Sequence, residues 1–285
     1  MRKKFLSIIL VLALAISCSV QALAATYTDL SGHWAKTYLE DLADKGLLTG
    51  YSDGTMRPDI NMTTCQLLVL LSRMYTLTDV QKGLIEDDYG SVINAAVAST
   101  SSWAYANLDI CLAAGIVTED ELKTLDLTSN INKEQFALFL TRALQLSDDA
   151  EALTVSNLTY SDAANISEAC VGSVAELATL GIVKGDTKNQ FLPKSNVTRA
   201  VAATMISRAL DYLDSKTVTL TIAGYAGFTG VDGIITAVGS GTVDMRGFDG
   251  YIREYQLPSS AAVTVNGTTG VIDSGDVGQY TKITM

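Results

Sequence analysis

Residues 46–64, GLLTGYSDGTMRPDINMTT, are the stretch that decides how this chain is organised. The stretch separates two segments of helical periodicity, and counterparts of it follow at offsets of 69 and then 66 residues. The recurring positions are Gly46, Gly115 and Gly181, then Thr64, Lys133 and Arg199, then Arg73, Arg142 and Arg208. Self-similarity at a nearly fixed period is typical of repeat architectures, so we predict three copies of one helix–loop–helix unit.

The first copy shows the local signals of such a unit. Apolar residues of Trp34–Lys45 fall on one helical face, and Gly46 is placed to end that helix as its C′ residue. Residues 50–55 have the composition of a turn, and Thr63 or Thr64 is placed to begin the second helix. The turn chemistry is lost in the second copy, where Gly50, Asp53 and Gly54 become Glu119, Leu122 and Lys123.

The composition changes after the third copy, at Lys216. Alternating polar and apolar residues and glycine-containing turns there predict a small all-β domain, for which a sandwich and a partly open barrel both fit. The strands are expected at 216–222, 231–238, 242–245, 251–257, 262–265 and 280–285. The predicted segments are a signal peptide at 1–24, units at 25–80, 81–150 and 151–214, and the β domain at 215–285. The acidic run Glu86-Asp87-Asp88 is expected to be a linker between the first two units.

The amino terminus has the pattern of a secretory signal. Arg2, Lys3 and Lys4 precede the apolar run Phe5–Ile16, and Ala22-Leu23-Ala24 is a small-x-small cleavage site. An uncleaved membrane anchor is the alternative, but the apolar run is short for a spanning helix. Cleavage would take the net charge of the 285-residue chain from −11 to −14, because three cations leave with the signal. Such acidity argues against nucleic acid and anionic lipid as partners.

The three cysteines after the signal, Cys65, Cys111 and Cys170, do not have the spacing of a zinc site or a disulfide framework. We expect small buried hydrophobic side chains rather than redox groups. His33 is the one histidine, which excludes a histidine-based triad and a histidine metal cluster. No paired carboxylates or phosphate-binding loop are evident, so we predict a protein that is not an enzyme and needs no cofactor.

The helical units resemble S-layer homology domains. The residues that carry the resemblance are Tyr27-Thr28-Asp29, Gly32-His33-Trp34-Ala35, Gly46-Leu47, Gly50-Tyr51-Ser52-Asp53-Gly54-Thr55-Met56-Arg57-Pro58 and, in the third unit, Val197-Thr198-Arg199-Ala200. The similarity spans about residues 27–212. It implies an α+β multidomain protein in which three helical units form a pseudo-threefold cluster ahead of the β domain.

The resemblance also implies a function and a set of ligand-binding residues. Members of the family hold bacterial surface proteins on cell-wall polysaccharide, often a pyruvylated polymer, in grooves between neighbouring units. The expected site residues are Arg199, Thr198, Lys133, Trp34, Trp103, Asp29, Gly50, Tyr51 and Gly185. The expected partner is a pyruvylated polymer or a peptidoglycan-associated glycan. The expected location is the bacterial cell wall or surface layer, with other surface-layer proteins as further partners. The alternative is a lattice or assembly protein whose degenerate units bind little glycan.

Each of these residues also has a purely structural interpretation. Arg199 fits ligand contact and a helix-start cap equally, and Asp29 fits an N-cap and a ligand contact equally. Lys133 is expected to be a solvated charge, and both tryptophans are expected to be partly buried in the core. The recurring Arg73, Arg142 and Arg208 are expected to hold helix-end carbonyls.

The departures from the family pattern predict unequal sites. The arginine position holds Thr64 and Lys133 in the first two units, and the tryptophan position holds Ala169 in the third. We therefore expect one complete cationic site at Arg199, one partial site around Lys133, and one weak site. The Arg199 guanidinium would bind a carboxylate through paired donors, assisted by the free N–H groups of the helix N-terminus.

Overall fold

A computed structural model describes residues 27–223, 225, 231–240, 242–247, 251–256, 262–265, 268–270, 272–278 and 280–284. The predicted signal peptide lies outside the described residues. The helices are α1 Lys36–Asp44, α2 Thr64–Ser72, α3 Asp79–Ala96, α4 Tyr105–Ala113, α5 Glu119–Thr124, α6 Lys133–Ala143, α7 Ser147–Glu151, α8 Glu168–Thr179 and α9 Arg199–Lys216. Within the described part of the chain, no helix combines the length and the apolar character needed to cross a membrane.

The predicted start and stop signals of the helices are confirmed. Gly46, Gly115 and Gly181 follow the first helix of each repeat with φ of 71°, 67° and 72°, a conformation that favours glycine. Thr63 caps α2 in a capping box with Gln66. The sequence therefore places both helices of a repeat correctly to within one or two residues.

The three repeats are joined cyclically by backbone hydrogen bonds at their loop ends. The Met62 amide donates to the Val197 carbonyl at 2.8 Å, Val197 donates to Ile131 at 3.0 Å, and Ile131 donates to Met62 at 3.1 Å. All three residues are buried. The β-bridges around this ring pair Asn61 with Thr198, Thr63 with Asn130, and Asn132 with Asn196. Each repeat thus contacts both of the others, and buried amides that would otherwise lack acceptors are satisfied.

The predicted acidic linker is wrong, because residues 86–88 lie inside the 18-residue helix α3. Thr78 and Gln81 form a capping box at its start, and Leu84 and Ile85 on its inner face are buried. A cap and a buried apolar face thus form a helix despite the charge run.

The β strands form one antiparallel sheet in the order β3-β2-β1-β6-β4-β5, not the two sheets of a sandwich. They are β1 Val231–Val238, β2 Thr242–Arg246, β3 Ile252–Gln256, β4 Ala262–Val265, β5 Thr268–Gly270 and β6 Tyr280–Thr284. The strand expected at 216–222 does not form, and the short β5 was not predicted. Helix α9 extends to Lys216, and Thr217 then caps it with φ of 55°. Leu220 and Ile222 join the helical core, which explains their apolar spacing.

The sheet is attached to α3 through Asp88. The Arg253 guanidinium on β3 donates to both carboxylate oxygens of Asp88, at 2.7 and 2.8 Å, and the Tyr225 hydroxyl donates to the same group. Gln81 also donates from its side chain to the Tyr225 carbonyl at 2.8 Å. Asp88, which was expected to lie in a linker, therefore connects the helical part of the chain to the sheet.

The cysteine prediction is confirmed, since Cys65, Cys111 and Cys170 are buried free thiols. Burial raises the pKa of Cys65 and of Cys170 to about 11, well above the usual value. These thiols are therefore protonated and unreactive at neutral pH.

Candidate functional site

A groove of about 200 Å³ is lined by residues of all three repeats. The first repeat contributes mainly the start of its loop and the face of α2, the second contributes Trp103, and the third contributes Arg199. The lining residues are Leu47, Leu48, Thr49, Gly50, Tyr51, Met62, Gln66, Val69, Leu70, Arg73, Trp103 and Arg199. Four of the predicted site residues therefore line one groove in the structure, namely Gly50, Tyr51, Trp103 and Arg199.

Arg199 is positioned by carbonyl oxygens rather than by an acid. Its Nε donates to the Met56 carbonyl at 2.7 Å, and one Nη donates to the Thr49 carbonyl at 2.8 Å and lies 3.1 Å from the Met56 sulfur. Arg199 is buried, and only 6% of its surface is exposed. These contacts fix the plane of the guanidinium against the loop of the first repeat.

The charge of the groove is positive and is not balanced inside it. Arg199 and Arg73 line it, and no aspartate or glutamate is among its lining residues. Across the described residues, no carboxylate forms a salt bridge with Arg199, and no protein atom accepts a hydrogen bond from its second Nη. Burial lowers the pKa of Arg199, and this desolvation outweighs the opposing effect of the nearby Asp29 charge. A ligand anion would reverse that desolvation cost.

Tyr51 lies between two cations at one end of the groove. The Arg57 guanidinium carbon is 3.9 Å from the ring centroid, and that of Arg199 is 5.2 Å away. Arg57 is held by Asp53 at 2.9 Å, and hydrogen bonds from Thr55 and Arg57 lower the pKa of Asp53 to about 2. Gly50 permits this arrangement, because a Cβ there would lie 2.3 Å from the Tyr27 ring.

Asp29 does not cap a helix, so that interpretation is wrong. Its two carboxylate oxygens accept hydrogen bonds from the Met56 amide at 2.8 Å and the Arg57 amide at 2.6 Å. Partial burial would raise the pKa of Asp29, but these amide hydrogen bonds outweigh it and the pKa is lowered. Asp162 makes the same pair of bonds, at 2.8 Å each, to Phe191 and Leu192. The role of the aspartate is to connect the start of a repeat to its loop.

The expected burial of the tryptophans is also wrong. Trp34 is 62% exposed and Trp103 is 58% exposed. Their neighbours Ala35 and Ala104 are the residues that enter the core. Exposed aromatic rings at these positions are available to a ligand, as the apolar face of a sugar ring requires.

The N–H groups of the α9 N-terminus are not free, contrary to expectation. The Arg199 amide donates to the Ile60 carbonyl and the Ala200 amide to the Pro58 carbonyl, both at 2.9 Å. The Val201 amide donates to the hydroxyl of Thr198, which is the N-cap. The Arg199 and Ala200 amides form the junction between repeats, and the Thr198 hydroxyl caps α9. Arg199 therefore presents its charge to the groove through its side chain.

Lys133 and Gly185 belong to a separate boundary, between the second and third repeats. The half-buried Lys133 ammonium lies 4.7 Å from the Phe191 ring centroid, and burial lowers its pKa against the opposing charges of Asp162 and Asp186. The solvated charge that the sequence predicts for Lys133 is therefore wrong. A Cβ at Gly185 would lie 3.2 Å from the Tyr160 ring, which parallels Gly50 and Tyr27. Trp34 occupies the same position in the first repeat as Trp103 does in the second. By this correspondence, Trp34 is the tryptophan expected at the boundary of Lys133 and Gly185.

Sequence reasoning missed Arg73, Thr49 and Gln66 as lining residues. The structural role of the recurring arginines is confirmed, since Arg73, Arg142 and Arg208 donate to the carbonyls of Leu47, Ile116 and Ile182. The recurrence of these arginines at the repeat offsets predicted their structural role, but it did not indicate that one of them lines a groove. Only the fold shows that Arg73 also faces a groove with no acid.

Comparisons with known proteins find a family match in two of the three repeats. The family model of the S-layer homology domain matches residues 26–63 and 159–203, in the first and third repeats. An amylopullulanase of Thermoanaerobacterium thermosulfurigenes is 29% identical over 188 residues, which are 65% of this chain and 10% of that protein. An endoglucanase of Bacillus sp. (strain KSM-635) is 27% identical over 219 residues, 73% of this chain and 22% of that protein. A cellulosome-anchoring protein of Acetivibrio thermocellus is 30% identical over 80 residues, 28% of this chain and 16% of that protein. The chain therefore spans less than a quarter of the length of each of these relatives.

Proposed function

We propose that this chain, in which two segments match the S-layer homology domain, attaches to the bacterial cell surface by binding an acidic, pyruvylated wall polysaccharide in the Arg199 groove. In this proposal the three units, at 25–80, 81–150 and 151–214, form a pseudo-threefold cluster, and the segment 215–285 is the displayed β module. Export by the signal at 1–24 would deliver it to the wall. The name of the cellulosome-anchoring relative supports attachment rather than catalysis.

The observation that carries the proposal is a buried guanidinium that forms no salt bridge among the described residues, in a groove that an exposed tryptophan also lines. Arg199 keeps one Nη without a protein acceptor in the described part of the chain, and Trp103 lines the same groove. A ketal carboxylate can accept from this donor while its sugar ring covers the indole. The net charge of −11 would oppose binding of anions elsewhere on the surface, which makes a local cationic site selective.

The test is co-sedimentation with purified Acetivibrio thermocellus sacculi, before and after acid removal of pyruvate. We expect binding to untreated sacculi and a loss of about tenfold or more in affinity for Arg199→Lys. The guanidinium reaches the Met56 and Thr49 carbonyls from two separate nitrogens and presents a third to the groove, whereas all donors of an ammonium are on one nitrogen. Arg208→Lys is the matched control, since Arg208 lies on the same helix and donates to the Ile182 carbonyl outside the groove.

Two results would contradict the proposal. Retention that is unchanged by removing pyruvate would exclude the ketal as the ligand. Equal binding by the two lysine variants would exclude Arg199 as the contact. Calcium-dependent polymers on size exclusion, without sacculus binding, would favour the lattice protein instead.

A further inference from the structure

A second pocket adjoins the Arg199 groove and is also cationic. Its volume is about 540 Å³, and it shares Leu47, Thr49 and Arg73 with the groove. The charged residues that line it are Lys45, Arg73 and Lys82, and no carboxylate is among the lining residues. Arg73 therefore lies at the boundary of two pockets that both lack an acid.

The cations of this pocket come from three helices that only the tertiary structure brings together. Lys45 follows α1, Arg73 follows α2, and Lys82 lies in the first turn of α3. One repeat further, the positions of Lys45 and Lys82 hold Ala114 and Glu151. The positive pocket is thus particular to the first boundary, and it is not a by-product of the repeat.

The internal partners of the lysines do not hold them strongly. Lys45 pairs with Asp41 and Lys82 pairs with Asp79 at 3.1 Å, and the side chain of Asp79 is fully exposed. Exposed pairs of this kind contribute little free energy, so a ligand anion can replace them. Asn107 adds a polar side chain to the lining, and its amide oxygen lies 3.0 Å from the Ser72 hydroxyl.

We propose that the acidic polysaccharide continues from the Arg199 groove past Arg73 into this pocket, so that the protein binds two acidic residues of one glycan chain. This inference rests on the proposed function and adds the length of glycan that the protein recognises. Once the first acidic residue is bound at Arg199, the second binds at a high effective concentration. Affinity should therefore rise with the number of acidic residues in the glycan.

The experiment measures affinity for two probes by calorimetry. Both come from the wall polysaccharide of Acetivibrio thermocellus sacculi, separated into fragments with one acidic residue and fragments with several. The double variant Lys45→Gln, Lys82→Gln should bind the longer fragments about fivefold more weakly and the single-acid fragments within about twofold of the unmodified chain.

The matched control is the double variant Lys36→Gln, Lys123→Gln. Lys36 lies on α1 as half of the Lys36–Glu40 pair, and its side chain is 46% exposed, as is that of Lys45. Lys123 pairs with Asp120 at 3.2 Å and is 51% exposed, against 53% for Lys82. The control removes the same charge from equally exposed sites and should bind both probes as the unmodified chain does.

The outcomes separate this inference from the proposed function. If the unmodified chain binds neither probe, the proposed function fails first. If it binds both but the Lys45, Lys82 variant keeps full affinity for the longer fragments, the second pocket is excluded and the Arg199 site remains. Equal losses in both double variants would indicate general charge attraction and would overturn the inference. Oligothymidylate, a polyanion without sugar acids, serves as a further probe. If it bound as tightly as the longer fragments, the pocket would accept any polyanion and the inference would be overturned.

Discussion

The Arg199 groove and the corresponding region one repeat further have the same backbone junction but opposite chemistry. At the junction the Arg199 amide donates to Ile60, and the Thr64 amide donates in the same way to Ser129. The side chains differ, since the arginine is replaced by Thr64 and the tryptophan by Ala169. A pocket that includes Arg142 and Ala169, the counterparts of Arg73 and Trp103, is also lined by three acids, Asp148, Glu151 and Glu168. The junction depends on backbone groups, so the side chains that line a groove can change without loss of the fold.

Arg73 and Arg142, which occupy the same position in the first two repeats, show how the positive charge of one region is neutralised. Arg73 and Arg142 both donate to the carbonyl that follows the first helix of their repeat. Arg142 also donates to both oxygens of Glu121, at 2.8 and 3.0 Å. Burial would raise the pKa of Glu121, but these bonds outweigh it and the pKa is lowered. The same cation is neutralised in one region and remains available in the other.

The largest effect should come from Arg199→Ala. The substitution removes hydrogen bonds from a charged donor to the Met56 and Thr49 carbonyls, so we expect the free energy of unfolding in urea to fall by about 3–5 kcal/mol. Thr64→Ala at the corresponding position removes one bond, at 3.3 Å to the Ser129 carbonyl, and should cost about 1 kcal/mol. Equal losses would mean that the two regions do not differ as described.

The next effect is a pH-dependent change in stability caused by Asp109. The residue at the corresponding position of the third repeat is Ala175. Asp109 is 2% exposed, and one of its oxygens has no hydrogen-bond partner among the described residues. Burial, and to a lesser extent Glu86, raises its pKa to about 7, against about 3.9 in an unfolded chain. The folded state therefore keeps the proton longer, and stability should fall as the pH rises from about 4 to about 7.

Asp109→Asn should remove this slope. We expect little change at pH 4 and a gain of about 2 kcal/mol at pH 8, measured by urea unfolding at both values. A variant that loses the same free energy at both pH values would show that the carboxyl has a structural partner instead.

A smaller effect should separate binding from stability at Trp103. Because its side chain is 58% exposed, Trp103→Ala should change the free energy of unfolding by less than about 0.5 kcal/mol. It makes the groove resemble the corresponding region with Ala169, so affinity for sacculi should fall about tenfold, or about 1.4 kcal/mol. Sedimentation and unfolding measured on one preparation test this, and a large loss of stability would restore the predicted core role.

The smallest effect should come from the helix cap. Thr198→Ala should cost about 1 kcal/mol of unfolding free energy, because the hydroxyl accepts from the Val201 amide. Asn132→Ala in the second repeat, where the side chain accepts from Gln135, should cost a similar amount. Thr198→Ser should restore the stability of α9. Unequal costs for the two alanine variants would show that Thr198 has a role beyond capping.

Most helices and strands follow from the sequence alone. The recurring glycines, the caps and the period of apolar residues place the two helices of each repeat, because these signals act within a few residues of chain. The same local rules failed at residues 86–88 and at 216–222. Buried Leu84 and Ile85 override the charges in the first case, and contacts of Leu220 and Ile222 with the helical core explain the second.

The amino-acid sequence by itself determined the repeat, its offsets and the position of the one arginine that matches the family motif. The tertiary structure decided what that arginine could do. It placed Arg199 beside Thr49 and Met56 from 143 residues or more away, assigned the amides of α9 to the junction, and left both tryptophans exposed. The physical reason is that charge pairing and burial depend on neighbours distant in sequence, whereas caps and turns depend on adjacent residues.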